Sequence, residues 1–306
     1  MTQQNIVAGI DIGGTKIAAG LVNERGNILT QTEFPTDSKR GIPNVCDRIT
    51  EALEEQTREL RLTPHELRGI GIGCPGPMDR QTGEIQNPYT LPGWESGSLT
   101  DTLRERMPLP IILENDADAA LLGECFVGAG KGFASVVMLT FGTGVGGAIL
   151  SDGQIVRGVE DSHPEIGLMP VLPDEAVDYS GVPGSLESIA SGSGITKAGV
   201  RAGYSDSRAV FAAAQRGNTD AQVIIDRAIR AVSLACLSLS HTVCPERIIL
   251  GGGLMDEQYE QFESPCSAAI AKATLLPPAR IRVVKAELGN RAGLVGAASL
   301  VLNPIG

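Results

Sequence analysis

Positive charge is scarce in this sequence. Lys and Arg together number 25 against 36 Asp and Glu in 306 residues, for a formal net charge of −11. Binding to a nucleic-acid backbone is usually driven by a basic face, so this balance argues against nucleic acid as the main partner. It leaves room for a small phosphate-bearing ligand held by backbone N–H groups. No pair of cysteines has C-x-x-C spacing. Cys46, Cys74, Cys125, Cys236, Cys244 and Cys266 lie mostly in apolar stretches and read as free thiols of a reducing compartment. The opening Met-Thr-Gln-Gln-Asn has neither the basic nor the apolar region of a signal peptide. The longest uncharged stretch, Gly132 to Ser151, is broken by Gly142, Gly144, Gly146 and Gly147. It does not read as a membrane span, and the expected location is the cytoplasm. A G-x-x-x-x-G-K-[ST] motif is also missing, which excludes a P-loop.

Glycine, by contrast, is abundant at 38 residues, without a collagen-like period. Either the backbone turns tightly or something approaches it closely in several places. Apolar residues at 42% and charged residues at 20% place the chain among folded globular proteins, and its length favours two domains.

Residues 5–10 read as a buried strand, followed by the turn Asp11-Ile12-Gly13-Gly14-Thr15-Lys16 and further strands over 17–22 and 27–34. A helix is expected from Pro43, with Val45, Ile49 and Leu53 on one face. Strand 68–74 ends in Pro75-Gly76-Pro77, residues 97–107 read as helical, strand 111–113 follows, and helix 117–127 is capped by Asn115 or Asp116. A second round then begins. Strands 136–141 and 146–150 flank Gly142-Thr143-Gly144, and Asp152-Gly153 turns into 154–157. A helical block over 185–244, strand 247–250, Gly251-Gly252-Gly253 with a helix after it, strand 280–284 and a small-residue helix at 290–302 complete the chain. The offset that aligns Asp11 with Thr140 overlays the two glycine turns, so a supersecondary unit looks duplicated.

Gly142 to Gly147 satisfies G-x-G-x-x-G. A dinucleotide fold needs a helix there, whereas Ala148-Ile149-Leu150 and Asp152-Gly153 predict a strand and a hairpin. The turn at 11–16, taken alone, fits a plain hairpin as well as a phosphate site. Its paired glycines let N–H groups approach phosphate oxygens, Thr15 adds a hydroxyl, Lys16 adds charge, and Asp11 is suited to holding Mg²⁺ through water.

Five segments in order carry a resemblance: Ala8 to Lys16, Gly71 to Pro77, Glu114-Asn115-Asp116-Ala117-Asp118-Ala119-Ala120, Thr140 to Gly147, and Ile249 to Gly253. Together they resemble the ROK family (repressors, open reading frames, sugar kinases), and the glucokinase-like members most. The resemblance spans about 6–301. It implies an α/β fold of the actin/hexokinase (ribonuclease H-like) type, with two domains and a central cleft for ATP and sugar. The expected division is 1–116 plus 290–306 against 117–289. The repressors' N-terminal helix-turn-helix extension is not expected, because the first strand starts within a few residues of the start. A homodimer is expected from the family.

The resemblance also assigns roles. Asp116 becomes the general base for the sugar 6-hydroxyl, and Asn115 holds a neighbouring hydroxyl. Glu165 and Glu187 accept bonds from sugar hydroxyls, with Asn87 and Gly76 in supporting loops. Asp11, Gly13, Gly14, Thr15 and Lys16, together with Thr140, Gly142, Thr143 and Gly144, take the phosphates of Mg-ATP, and Gly251, Gly252 and Gly253 take the adenosine. From their positions alone, Asp118, further inside the helix, is expected to be structural, and His163, without a partner at ligand spacing, to be structural or loop-lining. One departure stands out. Most members read Glu-x-Gly-His and bind a structural Zn²⁺ through that His and three cysteines. Here Leu168, Asp178, Ser180 and Ser185 occupy the four positions, so no structural zinc is expected and one sugar contact is lost. Glucose is therefore the leading substrate but not the only one. A kinase of N-acetylmannosamine or N-acetylglucosamine, or a fructokinase, would share every motif. Polyphosphate as donor and a catalytically silent sugar sensor are weaker alternatives.

Overall fold

A computed structural model describes residues 5–173, 177–178, 180–272 and 280–303. The first half runs β1 (Ile6–Ile12), β2 (Lys16–Asn23), β3 (Ile28–Pro35), α1 (Gly41–Glu59), β4 (Ile70–Cys74), β5 (Met78–Asp79), β6 (Glu84–Ile85), α2 (Leu99–Arg106), β7 (Ile111–Asn115) and α3 (Asp116–Val127). It continues with β8 (Val136–Phe141), β9 (Val145–Ser151), β10 (Gln154–Ile155), α4 (Leu186–Ala190), α5 (Gly192–Arg201), α6 (Ser207–Gln215) and α7 (Thr219–Thr242). The rest is β11 (Arg247–Gly251), α8 (Gly253–Ala271), β12 (Arg282–Lys285) and α9 (Ala292–Leu302).

The two five-stranded sheets repeat one plan. The first is ordered β3-β2-β1-β4-β7 and the second β10-β9-β8-β11-β12. In each, two antiparallel steps lead to the central strand and two parallel steps leave it. The turn at 13–15 and the turn at 142–144 fall at the same offset as Asp11 and Thr140, so the duplication read from the glycine turns extends to the whole sheet. Gly142 to Gly147 opens strand β9, not a helix, in line with the hairpin expectation.

The chain divides into two compact units. One comprises 1–132, 157–163 and 290–306, and the other 133–156 and 164–289. This corrects the expected boundary after Asp116: α3 and the 157–163 segment go with the first unit. The reason is close packing of α3 on α9. A Cβ at Gly296 would lie 1.6 Å from the Ala119 carbonyl oxygen, and one at Gly123 would lie 2.5 Å from that of Ala292. Helix α9 also lies on β1 and β4. Apart from Ser299, whose hydroxyl donates to the Gly296 carbonyl at 2.6 Å, its sequence is apolar, and residues 292–301 are all buried, as in a helix between a sheet and another helix. On the opposite face of this sheet, α1 buries Val45, Ile49 and Leu53, the face the spacing predicted. In the second unit, α8 lies on β8, β11 and β12 and α7 packs on α8, and Ile225, Val232, Phe262 and Ile270 join the apolar core they share.

Several boundaries differ from the sequence reading. Strand β7 extends through Asn115 and α3 starts at Asp116, because the Asn115 side chain caps the helix. The expected strand at 280–284 is found at Arg282–Lys285. The helical block resolves into α4 to α7.

Candidate functional site

In the first unit, β1, β4 and β7 are parallel neighbours. Their register sets Asp11 beside Gly73, Gly73 beside Glu114, and Cys74 beside Asn115. Asp11, Asn115 and Asp116 thus gather at the carboxyl ends of adjacent parallel strands, where open α/β sheets collect functional groups. Asn115 Oδ1 accepts the Ala117 N–H at 2.8 Å and the Asp118 N–H at 3.3 Å. Its oxygen is therefore committed to the cap, and its amide nitrogen remains to donate. Asp116 is half-buried and accepts the Ala117 N–H at 2.9 Å. Burial raises its pKa, the Ala117 N–H and His163 pull it down, and Asp118 pushes it up. Asp11 is raised to about 6, by burial first and then by Asp116, with Lys16 opposing. Two acids in one neighbourhood with raised pKa values are a functional-site signature.

Gly76 and Asn87 join this group. Asn87 Nδ2 donates to the Gly76 carbonyl at 2.5 Å, and its Oδ1 accepts the Thr90 N–H at 2.9 Å. Both ends of this buried amide fasten the 76–90 loops, so Asn87 acts on the site through their placement. The methyl of Thr90 in turn lies against Gly14, where a Cβ would come within 2.8 Å of it. The Thr36 hydroxyl donates to the Gly13 carbonyl at 2.6 Å and steadies the turn. Thr15 is exposed, and Lys16 pairs with Glu33 at 3.0 Å, so its ammonium is shared with strand β3.

Around the pair Asn115-Asp116 runs a charge network that the sequence did not announce. Buried Glu114 accepts Arg80 Nη1 at 2.9 Å, Arg157 Nη2 at 2.5 Å and the Asn115 N–H at 2.7 Å. Fully buried Asp118 pairs with Arg157 Nη1 and with His163 Nδ1, the latter at 3.1 Å. Arg80 also holds Asp161, through Nε at 2.8 Å and Nη2 at 2.6 Å.

The second unit brings its own expected residues together. Gly251 pairs with Thr140 across β11 and β8, and a Cβ at Gly252 would meet the Phe141 backbone at 2.6 Å. The Gly192 N–H donates to the Gly142 carbonyl at 2.8 Å, and the Ser193 N–H to that of Thr143 at 3.1 Å. Glu187 is half-buried beside Gly144, and its Oε2 accepts the Val145 N–H at 2.8 Å. Burial raises Glu187, the Val145 bond lowers it, Asp178 and Glu165 raise it further, and Lys197 opposes. A cavity of about 360 Å³ opens here, lined by Thr143, Gly144, Glu187, Ser193 and Lys197 among others. Glu165 is exposed at the start of the 166–168 turn. That turn is pressed on β9, where a Cβ at Gly167 would lie 1.9 Å from the Val145 carbonyl. A Cβ at Gly142 or at Gly253 would meet nothing within 4 Å. The chain's own packing does not require glycine at either position, which fits a backbone kept bare for a ligand.

Residues 7–303 match the ROK family. The chain belongs to the ROK family. It is 33% identical to the glucokinase of Thermotoga maritima, over 97% of this chain and 98% of that one. It is 30% identical to the N-acetylmannosamine kinase of Citrobacter koseri, over 95% and 97%. Among solved structures, the ROK hexokinase of Thermus thermophilus superposes with a TM-score of 0.84 at 32% identity, covering 96% of both chains. A ROK family glucokinase from Streptomyces griseus, in complex with glucose and AMPPNP, gives 0.75 at 29% identity, covering 97% and 99%. The fold is therefore the actin-like two-domain fold of these ROK proteins.

At three of the four positions where the resemblance expects zinc ligands, this ROK chain has a hydrogen-bonded cluster. Asp178 Oδ1 accepts the Ser180 N–H at 2.8 Å and its hydroxyl at 2.5 Å, while Oδ2 accepts the Ser185 hydroxyl. These bonds hold Asp178 below the ordinary carboxylate range against the opposing effect of burial. Leu168 is half-buried in the turn after Glu165. Hydroxyls already donating to a carboxylate are a poor donor set for Zn²⁺, which takes thiolate and imidazole.

The sequence reading missed Lys197 and Ser193 in the cavity, and Arg80 and Arg157 in the network. Ser191-Gly192-Ser193 at the start of α5 offered a capping signal for the first pair; nothing local marked the second.

Proposed function

We propose that this chain is an ATP-dependent hexose kinase acting on the 6-hydroxyl, with glucose as its leading substrate. The observation that carries the reading is Asp116. Its neighbours Glu114 and Asp118 each accept cationic side chains, whereas no ion pair is found for Asp116 among the described residues. A half-buried carboxylate without an ion pair at a strand-to-helix junction has its second oxygen available for a hydroxyl proton. Burial makes it a stronger base, and the N-terminus of α3 steadies its charge. Asn115 Nδ2 is available to donate to a second hydroxyl. Glu187, with one oxygen held by Val145, presents the other as an acceptor to the cavity, and Glu165 adds a further acceptor. Polyol recognition by fixed acceptors of this kind rejects apolar rivals strongly.

The glycine turns supply the phosphate contacts, with open space at Gly142 and, for the adenosine, at Gly253. Lys197 adds positive charge next to Thr143. Mg²⁺, when bound, would be held through water by Asp11 and would neutralise phosphate charge. Similarity to a glucokinase seen with glucose and AMPPNP supports ATP and glucose. Similarity to an N-acetylmannosamine kinase, together with Leu168 in place of a sugar-binding His, supports a second reading in which a 2-acetamido sugar is preferred.

The test is ADP release with Mg-ATP against glucose, mannose, fructose, N-acetylglucosamine and N-acetylmannosamine. Turnover on glucose above the others supports the first reading, and a preference for an acetamido sugar supports the second. Sugar binding without ADP release on any of them would mean a sensor and would end the kinase reading.

The Asp178–Ser180–Ser185 cluster also supports a chain that fastens this segment without metal. Elemental analysis of the purified protein is expected to find less than about a tenth of an equivalent of zinc, because the donor set is wrong for it. Stoichiometric zinc would overturn that.

A further inference from the structure

Arg157 reaches two carboxylates with two different nitrogens, Glu114 through Nη2 and Asp118 through Nη1. Glu114 immediately precedes Asn115, and Asp118 lies two residues beyond Asp116. One planar guanidinium therefore spans the junction that carries the candidate base from its strand side to its helix side. Lysine, a point charge, cannot make that fork. The Arg157 side chain is only 16% exposed, and its partners are 5% and 0% exposed.

The segment that delivers Arg157 is itself held in an unfavourable backbone form. Glu160 has φ 53° and Asp161 φ 63°, left-handed values that non-glycine residues adopt rarely and that persist only where surrounding contacts impose them. The contacts that close this turn are the backbone bonds from the Gly158 N–H to the Ser162 carbonyl at 2.8 Å and from the Ser162 N–H to the Val159 carbonyl at 3.1 Å, together with the bonds from Arg80 to the Asp161 side chain. Arg80 also binds Glu114, so the latch and the clamp meet on one carboxylate. Stability alone does not call for such an arrangement, since a buried ion-pair cluster is a weak stabiliser compared with apolar packing.

We propose that Arg157 is a positioning residue for Asn115 and Asp116, fixing the strand-to-helix junction by bridging Glu114 and Asp118 and leaving Asp116 the one carboxylate of the three open to substrate. The proposal rests on the reading of Asp116 as general base. The charges facing Asp116 are Asp118 on its own helix, Asp11 from β1 and His163 from the 157–163 segment, with the Cys74 thiol at the end of β4. Arg157 neutralises two of the surrounding acids. Its loss leaves Glu114 with Arg80 and Asp118 with His163, which removes one positive charge from the neighbourhood of Asp116 and favours the protonated form there.

The experiment uses the full chain with Mg-ATP and the best sugar of the panel. Arg157→Gln is expected to lower kcat by about a hundredfold while both KM values stay within about threefold, and to move the acid limb of the kcat/KM profile to higher pH. Arg157→Lys is expected to restore the acid limb, because it restores charge, but not the full kcat, because it lacks the fork. Asp118→Asn should move the limb the other way, to lower pH. A merely structural role would lower thermal stability and leave the acid limb where it is. A folded Arg157→Gln protein with kcat within about twofold of wild type and an unmoved limb overturns the proposal. If Arg157→Gln does not fold, Asp118→Asn decides alone, and an unmoved limb in that variant overturns the proposal. Asp116→Ala is assayed alongside. If it stays active, the general-base reading fails; if it is dead while the Arg157 variants behave as wild type, only the present proposal fails.

Discussion

Replacing Asp116 by Ala is expected to lower kcat on the preferred sugar by about a hundredfold to ten-thousandfold, the range that a well-placed general base supplies. ATP affinity should change little, because no phosphate contact is assigned to this side chain. The fold should survive. Asp116 is the first residue of α3, and the cap that matters there is Asn115, which binds two N–H groups itself. Losing a carboxylate at the first helical position costs only about 0.3–1 kcal/mol of dipole interaction. Asp116→Asn is the sharper control, since it keeps the shape and the bond from Ala117 and removes only basicity. The pH dependence follows from the direction of the shift. Burial raises the Asp116 pKa, and the working form is the carboxylate. Wild-type kcat/KM therefore falls as pH drops through the raised pKa, from a higher starting point than an exposed Asp would give. The residual rate of either variant should show no such limb. If Asp116→Asn keeps more than about a tenth of the wild-type rate, another group removes the proton.

The parts of the site that the sequence made legible are those whose residues are close together in it. Asp11 to Lys16 and Thr140 to Gly144 each carry their strand, turn and strand within one local segment, and their common offset revealed a repeat that the two sheets share. Asn115 and Asp116 were placed at a helix start by local capping signals. Only the length of β7 was misjudged, because Glu114 and Asn115 are polar and interrupt an apolar run. What stayed hidden depends on long-range partners. Arg80 meets Asp161 from 81 residues away, and Arg157 meets Asp118 from 39. In sequence each is an isolated charge, indistinguishable from a solvated one. The boundary between units was hidden for the same reason. Whether α3 joins the first unit is settled by the fit of Gly123 and Ala119 against α9, a pairing that no local pattern encodes.

Glycine abundance was the strongest compositional signal, and it divides into two physical causes that substitution separates. In Gly71→Ala the new Cβ would stand 1.7 Å from the Ala297 carbonyl oxygen, and in Gly296→Ala 1.6 Å from that of Ala119. Both neighbours are backbone atoms of packed helices, so no side chain can swing aside, and α9 would have to move off β4 or α3. Each substitution is expected to cost more than about 3 kcal/mol, at or above the upper end for overpacking a core. That should lower Tm by more than about 6 °C in a domain of this size. At Gly142 and Gly253 a Cβ meets nothing, and neither residue has a positive φ. Gly142→Ala should hold Tm within about 2 °C of wild type, in keeping with the small effect of substitutions that touch nothing. It should raise the KM for ATP by about tenfold or more, since a methyl group would stand where phosphate oxygens approach the backbone N–H groups. Thermal unfolding and ATP kinetics on the same four proteins decide the matter. If Gly142→Ala loses Tm as Gly71→Ala does, the second turn is glycine-rich for packing. If it keeps both Tm and KM, nothing approaches that turn closely. Only a retained Tm with a raised KM assigns the Gly142 turn to a ligand, while the glycines under α9 remain the requirement of a helix packed tightly on backbone.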